Sequence, residues 1–124
     1  MARILVVEDN EISRDILSRR LRKVGYEIVM AGDGIEAIRA ATSLAPDLIL
    51  MDMTLPGIDG WEAAQKLRES VQTAAIPVIA LTAHTLPSDR EHAIAAGCDE
   101  YEPKPVELPR LLRKIETLLS RQHS

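Results

Sequence analysis

Leu48-Ile49-Leu50-Met51-Asp52 is a run of four apolar residues that stops on an acid. The run is too short for a helix, and no polar residue alternates with it, so it reads as a strand buried on both faces. Residues 4–7 (Ile-Leu-Val-Val) and 78–81 (Val-Ile-Ala-Leu) repeat the pattern, the first followed by Glu8 and Asp9, the second by Thr82. Two more polar stretches, 27–31 and 99–102, supply the remaining strands. Strands covered on both faces require helices above and below, as in a parallel sheet.

The intervening segments carry helical spacing. Ile12, Ile16, Leu17, Leu21 and Val24 fall on one helical face, and Gly25 closes that helix as a C′ glycine. Ile35, Ala37, Ile38, Ala41 and Leu44 follow Gly34 and stop at Pro46, while Trp61, Ala64 and Leu67 mark a third helix. Ser88 and Glu91 have the spacing of a capping box for a fourth, ended by Gly97. Pro109 stands near the start of a fifth, with Leu111, Leu112, Ile115, Leu118 and Leu119 as its stripe. Five β-α units with right-handed crossovers make an α/β three-layer sandwich. Residues 1–120 form one domain and 121–124 a polar tail.

The 124 residues suit one domain. With one Trp, two Tyr and no Phe, the core must be aliphatic. A net charge of -4 argues against a broad nucleic-acid surface. No apolar run reaches the roughly 18 residues that cross a bilayer, and no signal peptide precedes the first strand. The single Cys98 excludes an internal disulfide and is read as a small buried hydrophobe, so a cytoplasmic location is expected.

In an open parallel sheet, ligands bind beyond the carboxyl ends of the strands. Glu8, Asp9, Asp52, Thr82 and Lys104 all fall at that edge, delivered by four separate strands. Two unit charges about 4 Å apart interact by roughly 4 kcal/mol at an effective dielectric of ~20. Three acids beside one ammonium therefore call for a cation, and hard oxygen donors suit Mg²⁺. The pattern is a divalent-metal site beside a carboxylate able to act as a nucleophile.

Val6-Val7-Glu8-Asp9-Asn10, Leu50-Met51-Asp52-Met53-Thr54-Leu55-Pro56-Gly57, Ala80-Leu81-Thr82-Ala83 and Lys104-Pro105 together resemble the bacterial response-regulator receiver family. The resemblance covers nearly the whole chain. It implies a flavodoxin-like fold with a five-stranded parallel sheet of order 2-1-3-4-5 and five helices. It implies two-component phosphorelay signalling, with Asp52 accepting a phosphoryl group from a histidine kinase or a histidine phosphotransfer protein. Asp9 would bind Mg²⁺ directly, Glu8 through metal-bound water, and the Thr54 carbonyl would complete the protein ligands. Thr82 and Lys104 would hold phosphoryl oxygens, Tyr101 takes the aromatic switch position, and Lys104-Pro105 would be cis. Chemistry is confined to slow self-catalysed phosphorylation and dephosphorylation, so the chain is a signalling domain and not an enzyme. Output is expected through a protein target at the fourth helix, fifth strand and fifth helix, with no direct nucleic-acid or membrane contact. Met1 favours a stand-alone regulator over a piece of a larger protein.

Glu8 stands where the family more often has Asp, and Pro103 before Lys104 is unusual. His84 and Thr54 occupy positions at which the family tunes phosphoryl lifetime. His84, His92 and His123 form no ligand set, and Arg19, Arg20, Arg22 and Lys23 are read as a solvated face. A haloacid-dehalogenase-type phosphatase would need a second acid two residues after its nucleophile, where this chain has Thr54. A flavodoxin-like FMN binder would need a hydroxyl- and glycine-rich loop where Glu8-Asp9-Asn10 stands. A degenerate receiver serving only for docking would not need the complete acid, Thr and Lys set.

Overall fold

The computed structural model describes residues 2–55, 57–83 and 87–122, with the backbone alone at 87–89 and 122. Pro56, His84 and His123 lie outside the described residues, as does the side chain of Ser88. The elements alternate strictly: β1 (Arg3–Val7), α1 (Glu11–Val24), β2 (Glu27–Ala31), α2 (Gly34–Leu44), β3 (Leu48–Asp52), α3 (Gly60–Glu69), β4 (Val78–Thr82), α4 (Pro87–Ala95), β5 (Glu100–Pro103) and α5 (Leu108–Gln122). The strands form one parallel sheet of order β2-β1-β3-β4-β5. The three-layer fold expected from the sequence is the one observed.

Side-chain alternation divides the core. Ile4, Val6, Leu48, Leu50, Ile79 and Leu81 face α1 and α5, where they meet Leu21, Leu111 and Ile115. Leu5, Val7, Ile49, Met51, Val78 and Ala80 face α2, α3 and α4. Ala37, Ala41, Ala63, Ala64 and Ala93 line much of the helix side of that second layer, with Leu67 as the large buried side chain from α3.

Several local expectations are corrected. On α1, Ile12 is 72% exposed and Ile16 and Val24 are also exposed, while Ser18 and Leu21 are buried. The helix is thus turned so that part of its apolar stripe, at both ends, faces solvent. Ile35 and Leu44 are exposed on α2, because Ala37 and Ala41 form the buried contact. The fifth strand begins at Glu100 and not at Asp99, whose carboxylate accepts a hydrogen bond from the Val78 amide at 2.8 Å. Helix α4 opens at Pro87, one residue before Ser88, as suits a proline whose nitrogen needs no acceptor. Asn10, Asp33 and Asp59 cap α1, α2 and α3 by accepting from the amides of Ser13, Glu36 and Glu62 at 2.9, 2.8 and 2.9 Å.

Gly60 is the first residue of α3. A Cβ added there would lie 2.4 Å from the Asp52 carbonyl oxygen and 2.6 Å from Met53 Cα. The missing side chain lets the N-terminus of α3 rest on the backbone that carries Asp52. Gly60→Ala should therefore lower the unfolding free energy by about 1–3 kcal/mol in urea titrations, the usual cost of overpacking. A loss under about 0.5 kcal/mol, as at an unconstrained surface site, would mean that α3 is free to move away.

Candidate functional site

The end of β1, the end of β3, the end of β4 and the segment after β5 converge at one edge of the sheet. Val7 pairs with Met51, so the next residues, Glu8 and Asp52, emerge side by side. Asp52 is 2% exposed and Glu8 is buried, whereas Asp9 is open to solvent. Oxygen atoms of Glu8, Asp9 and Asp52 all lie within 4.8 Å of one another. The Lys104 ammonium is 3.2 Å from Glu8 Oε2 and 3.2 Å from Asp52 Oδ1. The Thr54 amide donates to Asp52 Oδ1 at 3.0 Å, holding the carboxylate on its strand end. Thr82 is fully buried at the end of β4, and its carbonyl accepts from the Lys104 amide at 2.8 Å. The Lys104-Pro105 peptide is cis.

Burial works against the Lys104 ammonium, but the charges of Asp52 and Glu8 outweigh it and hold the lysine pKa above its ordinary value. Glu8 behaves oppositely. Burial, then its hydrogen bond with Asp52 and the Asp52 charge, push its carboxyl up to about 7 against the pull of Lys104. A carboxyl raised in this way takes up a proton more readily where one lysine does not balance the acids around it. Three carboxylates converging around a single ammonium fit a hard divalent cation, with Asp9 giving the set an open side.

A cleft of about 290 Å³ opens beside these groups, between α1 and the segment after β5, lined by Glu8, Ile16, Leu17, Lys104, Pro105 and Val106. Tyr101 lies on the other face of the sheet, 9% exposed, in the layer under α3 and α4 and opposite Ala80 of β4. Thr82 pairs with Pro103, two residues further along the same ladder. His92 is exposed, and its ring stacks on Trp61 with centroids 4.1 Å apart. Cys98 is buried, and burial pushes its thiol up to about 12, which suits a packing residue.

Two polar clusters were not anticipated. The Arg68 guanidinium, at the end of α3, donates to the carbonyls of Gly97, Ala74 and Ile76 at 2.7, 2.9 and 2.6 Å and pairs with Asp99. Glu102 on β5 is fully buried and is held by Arg110 and Lys114 of α5. Burial favours its protonated form, but hydrogen bonds from those two cations keep the pKa below the ordinary glutamate value. A charged residue inside a strand, with Arg and Lys four residues apart on the next helix, was the available signal.

Residues 4–116 match the family model of the response regulator receiver domain. The chain belongs to that family. Receiver domains are the signalling modules of two-component response regulators, and their acidic pocket binds Mg²⁺. This receiver domain is 36% identical over 116 residues to the polar-differentiation response regulator DivK of Brucella anthropi, with 94% of each chain covered. It is 38% identical over 121 residues to the DNA-binding dual master transcriptional regulator RpaA of Synechocystis, covering 98% of this chain but 50% of RpaA. The chain therefore spans half the length of that relative. Among solved structures, the receiver domain of the Pseudomonas aeruginosa sensor histidine kinase PA1611, with magnesium coordinated in its active-site cleft, superposes with a TM-score of 0.89. The identity is 37%, with 96% of this chain and 98% of that one covered. Chemotaxis protein CheY4 of Vibrio cholerae gives 0.89 at 30% identity, with 95% and 98% covered. No helix among the described residues is long and apolar enough to cross a membrane.

The Glu8 pKa sets a pH dependence. Because the folded value is raised above the unfolded one, the protonated carboxyl favours the fold. Its contribution is fully present below about pH 4.5 and is lost as pH rises through about 7. In metal-free buffer, this should cost up to about 3 kcal/mol between those limits, at about 1.4 kcal/mol per pKa unit. Denaturant titrations of wild type and Glu8→Gln should differ in this slope, with the variant flatter. Equal slopes would mean that Glu8 titrates normally.

Proposed function

We propose that Asp52 is the phosphoacceptor and that Mg²⁺ is held by Asp9, Asp52 and the Thr54 carbonyl, with Glu8 acting mainly through metal-bound water. The carrying observation is a buried carboxylate at a central strand end, 3.2 Å from a lysine and within 4.8 Å of two further acids. When bound, the divalent cation supplies charge neutralisation for the carboxylates and the transferring phosphoryl oxygens. An Asp52 carboxylate oxygen forms the new bond to phosphorus as the phosphorus–nitrogen bond of a donor phosphohistidine breaks. The electron pair leaves with the imidazole nitrogen. Lys104 steadies phosphoryl oxygens by charge and Thr82 by its hydroxyl, so the protein's part is positioning and electrostatics.

The donor is a histidine kinase or histidine phosphotransfer protein, and the cleft beside Ile16 and Lys104 supports its approach from the α1 side. Residues 1–120 constitute the receiver unit, followed by the polar 121–124. The resulting aspartyl phosphate adds acceptor oxygens within reach of Thr82, which is coupled through the β4–β5 ladder to Tyr101. With Tyr101 already buried, phosphorylation fixes the ring inside and does not draw it in. The surface of α4, β5 and α5 carries the change to a protein target. A net charge of -4 favours a protein over a nucleic acid as partner, and the single buried thiol suits the cytoplasm.

Phosphoramidate with Mg²⁺ should add one phosphoryl group to the wild type and none to Asp52→Asn, as read by intact mass. Under beryllofluoride, Tyr101 ring signals should move in the wild type and stay in Thr82→Ala. Equal labelling of the two proteins would overturn the Asp52 assignment, and identical ring shifts in both would overturn the switch.

A further inference from the structure

The Glu102 cluster lies outside the acid pocket, yet it brackets the segment that presents Lys104. Glu102 is 0% exposed and accepts from Arg110 Nε at 3.0 and 3.1 Å, from Arg110 Nη2 at 2.7 Å and from Lys114 Nζ at 2.9 Å. Its Oε2 also faces the Glu107 amide at 3.5 Å, while Arg110 Nη1 donates to the Glu107 carboxylate at 2.7 Å. Lys114 additionally donates to the Tyr101 carbonyl. One buried carboxylate thus ties the end of β5 to the far end of the 103–107 segment and both to α5. Lys104 stands inside that bracket.

Besides this network, the Lys104 amide donates to the Thr82 carbonyl at 2.8 Å and Val106 packs on the layer under α5. Pro105 is exposed, and Pro103 and Val106 are half-buried. A leucine at position 102 could pack against the apolar layer under α5 at no desolvation cost, whereas a buried ion network loses hydration that its internal contacts only partly return. What the network supplies in exchange is geometry. The planar Arg110 fork and the Lys114 ammonium meet the carboxylate from different directions, which fixes its rotamer and with it the path of the backbone toward Lys104.

We propose that Glu102, Arg110 and Lys114 form a positioning network that sets where the Lys104 ammonium stands relative to Asp52. Glu102 touches no reacting group and acts only through Lys104. The inference rests on the reading of Lys104 as a phosphoryl-contacting residue. A misplacement of about 1 Å at such a group costs on the order of a hundredfold.

The test is a double-mutant cycle on Mg²⁺-dependent beryllofluoride binding, using wild type, Glu102→Gln, Lys104→Ala and the double variant. Glu102→Gln keeps the shape but removes the charge between Arg110 and Lys114. It should weaken beryllofluoride binding at least about tenfold in the Lys104 background and have no effect once Lys104 is gone, the signature of coupled residues. Mg²⁺ binding alone should stay within about twofold of wild type, since by the proposed reading that cation is held without Lys104. A merely structural role would weaken beryllofluoride binding equally in both backgrounds, and either that result or no loss in Glu102→Gln overturns the proposal. If Glu102→Gln does not fold, Arg110→Gln enters the same cycle with the same expected non-additivity. If the wild type does not bind beryllofluoride, the phosphoacceptor reading fails and this inference with it. If the wild type binds, and Lys104→Ala binds less, only the positioning network is at stake.

Discussion

Repulsion among Glu8, Asp9 and Asp52 is the constraint around which the rest of the molecule is arranged. The β1–β3 register makes the first and last of these neighbours, because pairing Val7 with Met51 brings the following residues together. Both are buried, so water screens them poorly, and Lys104 is shared between them. Burial and the neighbouring Asp52 push the Glu8 carboxyl up to about 7, so this acid gives up its charge more readily than an ordinary glutamate. A site of this kind is unfavourable by itself and persists because the fold beneath it is over-determined. The two apolar layers, one of aliphatic side chains under α1 and α5 and one lined by alanines under α2, α3 and α4, supply that determination.

The loops at the two edges of the sheet are held differently from the core. Gly60 lets α3 rest directly on the Asp52 backbone, so the phosphoacceptor strand end is supported by main-chain contact. Arg68 gathers three carbonyls and Asp99 at the opposite edge of the sheet and closes the turns before β4 and β5. Glu102, Arg110 and Lys114 do the same for the segment after β5. Charged side chains that bond to backbone serve here where apolar contacts are few. Such bonds are directional, which suits segments that must present a group at a fixed point.

The architecture was legible because strand and helix periods differ. Residues 48–51 and 78–81 are apolar without interruption, and β3 and β4 are buried on both faces. The acids were legible because they end those runs. On α1, the apolar stripe gave the helix but not its rotation, since Ile12 and Ile16 are exposed, Ile16 at the edge of the cleft, while Ser18 is small enough to face the sheet. Asp99 reads as strand by position, yet its side chain caps the neighbouring Val78 amide, a tertiary bond that no local pattern encodes. The raised Glu8 pKa depends on burial and on the Asp52 contact, neither of which a sequence states. Glu102 looked like an ordinary polar residue on a weak strand, because its cations follow eight and twelve residues later on another element.

The electrostatic account is tested most directly by thermal unfolding of wild type and Asp9→Asn with and without millimolar Mg²⁺. Asp9 is exposed and lies outside the Lys104 pairs, so its charge can be removed without leaving a buried cation unpaired. Without metal, Asp9→Asn should melt above the wild type, since one of three repelling carboxylates is gone. Mg²⁺ should raise the wild-type midpoint and leave the variant nearly unchanged, as expected when a ligand binds only the folded state. A wild-type midpoint indifferent to Mg²⁺, or an equal rise in both proteins, would contradict the claim that this carboxylate cluster is a cation site held under repulsion.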